Sequence, residues 1–266
     1  MSMLLHNEYN LTHDAFLGTT EKLQGKLRYL AAMAQPEQWD YKGQNSKSIL
    51  FNYLCFTYDK LLDEEKISFS ADGNHMCFNT GLLNRHDADI YALFDVNNSP
   101  KKKPDQKWFL NGFRTASDLD MRCFSTLPEI ADYFTNPEDF IFDKKLPLAI
   151  NYDHIIDDNY ERFLDVGLSD KYMIKALLES SVRRITEKVK RNYKLAIPQY
   201  YTDKTTGQSK IQLLLPLFLK QGDVADLALA VDKDQQGYVG KTILTLEWAY
   251  VNSRRIVRPE VDWLKI

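Results

Sequence analysis

Apolar positions recur at helical spacing in the first quarter of the chain and at strand spacing near its end. Over residues 15–34, Leu23, Leu27, Leu30 and Ala34 share a face, and Pro36 closes the run, which predicts a helix. Residues 49–62 repeat the pattern with Leu50, Leu54, Tyr58, Leu61 and Leu62. Short apolar runs then predict strands at 76–80, 90–94 and 108–113, with Gly81 marking a turn after the first. The polar stretch 97–104, which holds Lys101, Lys102 and Lys103, reads as a loop. Residues 127–134 suggest a short helix opened by Pro128, and 140–142 and 148–152 return to strand character.

The second half is more regular. Residues 170–193 predict a helix capped by Ser169 or Asp170, with Tyr172, Ala176, Leu177, Ser180, Ile185 and Val189 on its inner side. Three runs follow at 211–219, 224–231 and 238–245, separated by Gly222-Asp223 and by 234–237, which is the spacing of an antiparallel meander. Beyond Thr245 the pattern favours a helix from Leu246 that buries Ala249, Tyr250 and Ser253. That helix would present Trp248, Asn252 and Arg255 together, whereas a continued strand would pair Asn252 with Arg254. The fold class is α+β: a helical section over 1–70 packed on a mixed or antiparallel sheet body over 71–266, folding as one unit.

Composition narrows the classes. With 44% apolar and 27% charged residues in 266, a core forms and disorder is excluded. A formal charge of −3 excludes a uniformly basic nucleic-acid coat. Residues 171–210 nevertheless hold ten Lys and Arg against three acids, a local charge of +7, which leaves −10 for the remainder. That stretch is either a solvated helix face or an attractor of polyanions. Cys55, Cys77 and Cys123 are odd in number and widely spaced, which fits buried thiols in a reducing compartment. The first residues lack the pattern of a signal segment, and the longest apolar run, 211–219, is too short to span a bilayer. A cytoplasmic protein with no membrane partner is the expectation.

No phosphate loop, dinucleotide fingerprint, zinc motif or nucleophile elbow occurs, no metal set is indicated, and no cofactor is named by any motif. Three polar clusters stand out instead. Asn79, Thr80 and Gly81 follow an apolar run, where a turn could aim backbone N–H groups at a ligand. His154 lies among Asp153, Asp157 and Asp158, a setting for a general acid or base, with Asn159 and Arg162 beyond it. Asn252, Arg254 and Arg255 end an apolar run and suit phosphate binding. Each cluster has an ordinary structural reading: an Asn-stabilised strand end, a capped loop turn, and Arg stems covering apolar surface.

Several separated blocks, taken together, resemble one family. They are Phe78-Asn79-Thr80-Gly81-Leu82, Trp108-Phe109 with Gly112-Phe113, Asp153-His154-Ile155 with Asn159 and Arg162, Leu215-Pro216-Leu217-Phe218, and Tyr238 to Leu244 followed by Ala249-Tyr250, Asn252 and Arg254-Arg255. The family is DUF3825, and the similarity runs over residues 39–256. The resemblance implies a bacterial or fungal protein and, because some members are joined to OST-HTH or other modules inferred to bind RNA, an RNA-linked role. It transfers no catalytic assignment. The expected function is an RNA- or nucleotide-binding domain with a phosphate-accepting pocket lined by Asn79, Thr80, Gly81, Asn159, Asn252, Arg254 and Arg255. The alternatives are a hydrolase or transferase on a phosphoester, with His154 moving protons and Arg162 holding charge, and an interaction scaffold without ligand.

Overall fold

The computed structural model describes residues 9–40, 46–100, 103–202, 209–222 and 224–264. The expected Lys101-Lys102 loop tip and Asp223 of the Gly222 turn lie outside them, as do Asp203 and Lys204 of the basic stretch. The fold is α+β, with seven helices and two five-stranded mixed sheets among the described residues. It divides into two compact units, Met1–Asp132 and Tyr133–Ile266. No helix among the described residues is long and apolar enough to cross a membrane.

In the first unit, α1 (Asn10–Asp14), α2 (Thr20–Met33) and α3 (Ser48–Asp63) accompany a sheet of order β1-β5-β4-β3-β2. Its strands are β1 (Ala15–Phe16), β2 (Ser68–Phe69), β3 (His75–Leu83), β4 (Asp89–Val96) and β5 (Trp108–Arg114). Helix α2 starts at residue 20 rather than 15. Ala15 and Phe16 pair in parallel with β5, Gly18 turns the chain at φ +107°, and the Thr19 hydroxyl then accepts from the Lys22 N–H as a cap. Ten residues of α3 are buried, so it is a core helix rather than a surface one.

Two expectations fail here. Gly81 is not a turn after a strand but lies inside β3, at φ +70° in an irregularity between Asn79 and Leu83. Residues 127–134 form no helix. Their backbone groups are claimed from elsewhere: the Pro128 carbonyl accepts from Asn79, the Ile130 carbonyl from Lys66, and the Asp132 N–H donates to the Glu64 carboxylate.

The second unit holds a sheet of order β6-β10-β9-β8-β7. Its strands are β6 (Leu148–Ala149), β7 (Ile197–Thr202), β8 (Ser209–Leu217), β9 (Leu227–Lys233) and β10 (Tyr238–Leu244). The last three form the expected antiparallel meander. Leu213, Leu215, Leu217, Leu227, Leu229 and Val231 face one way, into a core shared with Ile174, Leu178 and Ile185 of α6 (Lys171–Val189). Asp170 caps α6 by accepting from the Met173 N–H at 2.7 Å. On the other face lies α7 (Leu246–Arg254), against β7, β9 and β10, with Thr245 as its cap.

The strands expected at 140–142 and 148–152 are overruled. Pro137–Phe140 is a 3-10 turn, and Phe142 stacks on Tyr238 with ring centroids 4.3 Å apart. Only Leu148 and Ala149 pair, in parallel with β10. Asn151 then caps α4 (Tyr152–Asp158), and α5 (Tyr160–Asp165) follows after Asn159 alone.

Candidate functional site

Asn79 and Thr80 fold inward, whereas Gly81 is exposed. The first two are buried, and each has internal partners. The Asn79 amide donates to the Pro128 carbonyl, while its oxygen accepts from the Gly81 N–H at 2.9 Å. The Thr80 hydroxyl donates to the Ile90 carbonyl at 2.7 Å and accepts from the Leu82 N–H at 3.2 Å. The Tyr53 hydroxyl donates to the Thr80 carbonyl at 2.8 Å. Side chains therefore replace the strand ladder where β3 is irregular. A Cβ on Gly81 would lie 2.8 Å from the Tyr53 oxygen, so glycine is required there for space as well as for φ.

The remaining six candidates belong to the second unit and form two groups with His154 apart. Asn159, buried at the α4–α5 junction, donates to the Ile155 carbonyl at 2.8 Å, and its oxygen accepts from Thr242 at 2.7 Å. The same oxygen accepts from the Arg162 guanidinium, which also donates to the Thr242 hydroxyl at 3.1 Å and to the Ile243 carbonyl. Arg162 thus pins α4 and α5 to β10, and burial pulls its pKa below the ordinary value. His154 stands 68% exposed on α4 with Asp158 at 3.1 Å, one helical turn away.

The second group is richer than the sequence suggested. Residues 212 and 232 alternate with the core-facing positions of β8 and β9 and so point to the α7 side. There the Asn252 amide donates to Gln199 at 3.1 Å, the Gln199 amide to Gln212 at 2.7 Å, and the Gln212 amide to the Asp232 carboxylate at 2.6 Å. An ionised carboxylate only accepts, so Gln212 must present nitrogen to it, and that choice sets the direction of every amide behind it. Asp232, its side chain 8% exposed, also receives Lys210 at 2.6 Å and Lys241 at 3.7 Å. Both lysine side chains are about half exposed, at 48% and 49%. Tyr201 is the direct cross-strand partner of Lys210 and shares the Gln199 face of β7. Arg254 and Arg255 are buried where α7 ends, and Arg255 donates to the Tyr200 carbonyl at 3.0 Å.

This arrangement offers two cations around one buried anion, backed by a fixed relay of amides and flanked by an aromatic ring. It can hold an anionic oxygen and orient what is attached to it. Of the residues singled out in the sequence, Asn252 joins the relay, whereas Arg254 and Arg255 are buried at the end of α7; Gln199, Gln212, Asp232, Lys210 and Lys241 were not singled out. The available signal was Gln212, a polar residue inside an apolar run. The basic stretch on α6 is less open than its charge suggested. Lys171 pairs with Asp157 and Lys175 with Asp153, Lys190 and Arg191 share Glu187, and Arg184 donates to the Phe218 carbonyl.

Comparison with known proteins returns one family. The model described as "Domain of unknown function (DUF3825)" matches residues 30–263, nearly the whole chain. No curated protein and no solved structure matches.

Proposed function

The chain belongs to the DUF3825 family, and we propose that it is an RNA- or nucleotide-binding module whose phosphate seat is the Lys210–Asp232–Lys241 cluster. The observation that carries this reading is the charge balance there: the ammoniums of two half-exposed lysines converge on a single buried carboxylate. The excess positive charge faces outward, where a phosphate can bridge both lysines, and Tyr201 beside Lys210 offers a face for a base. The amide relay fixes the carboxylate, and through it the lysines.

The test is a titration of the full chain with short single-stranded RNA at two salt concentrations. Two phosphate contacts give a slope of log K against log salt near −1.4, at about −0.7 per contact on single strands. Lys210→Ala should weaken binding and shrink that slope by about 0.7. Binding that is absent, or that keeps its slope in Lys210→Ala and Lys241→Ala, refutes the reading and leaves the scaffold alternative.

A further inference from the structure

An open cleft of about 450 Å³ runs along α2 in the first unit, within the roughly 300–1,000 Å³ of small-ligand sites. One wall is the α2 stripe Lys22, Gly25, Lys26 and Tyr29, spaced by one turn; the other is β5 from Phe109 to Arg114. Two features mark it as built for an anion. Lys22 and Lys26 stand four residues apart on the same face, and no carboxylate pairs with Lys22 among the described residues. Lys26 is partly buried, with its ammonium 4.5 Å from the Phe109 ring centre and donating to the Leu110 carbonyl. Burial first, then repulsion from Lys22, pulls its pKa below the ordinary value, a penalty that a bound anion relieves. The other charges nearby are already engaged. Arg114 is held by Asp120 and Asn111, while Asp95, which attracts Lys26, is bonded to His75 and Asn111.

The cleft also offers flat apolar surface. Tyr29 is 59% exposed and lines the cleft, so its ring is open to a ligand. At Gly25 an added Cβ would meet nothing within 4 Å, so the missing side chain leaves the groove open between the two lysines. Glycine in a helix interior is otherwise unfavourable.

We propose that this cleft binds a nucleoside phosphate, with the phosphate bridging Lys22 and Lys26 and the base lying on Tyr29. The inference does not rest on the Lys210–Lys241 reading, which concerns the other unit. It is tested by calorimetric titration of the full chain with adenosine 5′-monophosphate, adenosine and inorganic phosphate. The monophosphate should bind more tightly than either part. Lys22→Ala should weaken it by about tenfold, the weight of one charge-assisted contact. Gly25→Glu should abolish it, since a carboxylate then sits between the ammoniums while Glu suits a helix better than Gly, so the fold is kept. Lys210→Ala should leave it unchanged. Absence of binding, equal affinity in the parent, Lys22→Ala and Gly25→Glu, or phosphate binding as tightly as the nucleotide would each overturn the proposal. Loss of nucleotide binding in Lys210→Ala alone would overturn it too, and would assign the ligand to the other site.

Discussion

Arg162 gives the sharpest test of whether a residue picked out for chemistry instead holds the fold. Replacing it with Leu removes the donor to the Ile243 carbonyl and one of two donors to Asn159. Asn159 keeps the Thr242 hydroxyl at 2.7 Å, so it is not orphaned, but the carbonyl of the fully buried Ile243 loses its charged donor. Hydrogen bonds from a charged donor contribute about 1.5–3 kcal/mol each. Against these stands the relief of no longer burying part of a guanidinium. The net loss should be about 2–4 kcal/mol, toward the upper end of single-residue effects. Arg162→Lys should recover only part of it: all three acceptors meet the single Nη1 nitrogen, so an ammonium matches the donors, but on a shorter stem. Hydrogen exchange followed by mass spectrometry reads this locally: peptides covering α5 and β10 should lose protection in Arg162→Leu. His154→Ala serves as the control, since its exposed ion pair with Asp158 is worth at most about 0.5 kcal/mol. If protection across β10 is unchanged in Arg162→Leu, the pinning role is wrong.

Two further outcomes concern the first unit. Burial, with help from Asp63 and Asp14 and against hydrogen bonds from Asn10, pushes the Asp59 carboxyl from its ordinary 3.8 up to about 6. The folded state then holds this proton more tightly than the unfolded one, so stability rises as pH falls through about 6 and the gain is complete below 3.8. The ionised group costs up to ~3 kcal/mol above pH 7. Asp59→Asn should therefore be more stable than the parent at pH 8 and should flatten the denaturant midpoint between pH 7 and 4; an unchanged slope counts against it. Gly81→Ala should cost at least about 1–2 kcal/mol from its positive φ alone, plus the displaced Tyr53–Thr80 bond. Because Tyr53 is the obstacle, Tyr53→Phe should make the Gly81→Ala loss smaller, and a strictly additive double-mutant cycle would contradict that.

What the sequence disclosed tracks how local the cause is. The meander is legible because β8, β9 and β10 are short apolar runs separated by turn residues. Helix α7 is legible because Thr245 and the spacing of Ala249, Tyr250 and Ser253 are local facts. Helices α4 and α5, of seven and six residues, are too short to establish a period, and their junction at Asn159 is stabilised by Thr242, 83 positions away. The two-residue strands β1, β2 and β6 exist only through their partners. Residues 127–134 have helical character locally, yet Asn79, Lys66 and Glu64 claim their backbone. The same logic separates the candidate residues. Residue type singled out Asn79, Asn159 and Arg162 for a ligand, but their observed partners are protein atoms, which register decides. The relay joins residues 199, 212, 232 and 252, which no spacing rule connects.

The Asp232 cluster carries one feature that folding alone does not require. A buried carboxylate needs partners, and Asp232 already has them in Lys210 at 2.6 Å and the Gln212 amide at 2.6 Å. Lys241 adds a second cation at 3.7 Å, a distance and exposure at which an ion pair contributes roughly 0–1 kcal/mol. Bringing it there takes an interruption of the β10 ladder, since Gly240 pairs with Val231 and Thr242 with Ala230, leaving Lys241 as the extra residue. Bulges forfeit pairing and re-aim a side chain, and they concentrate beside functional sites. An element that gives up ladder order to place a half-exposed charge next to an already satisfied anion adds little to stability. Its effect is to leave positive charge in excess at the surface, which is the property a phosphate would use.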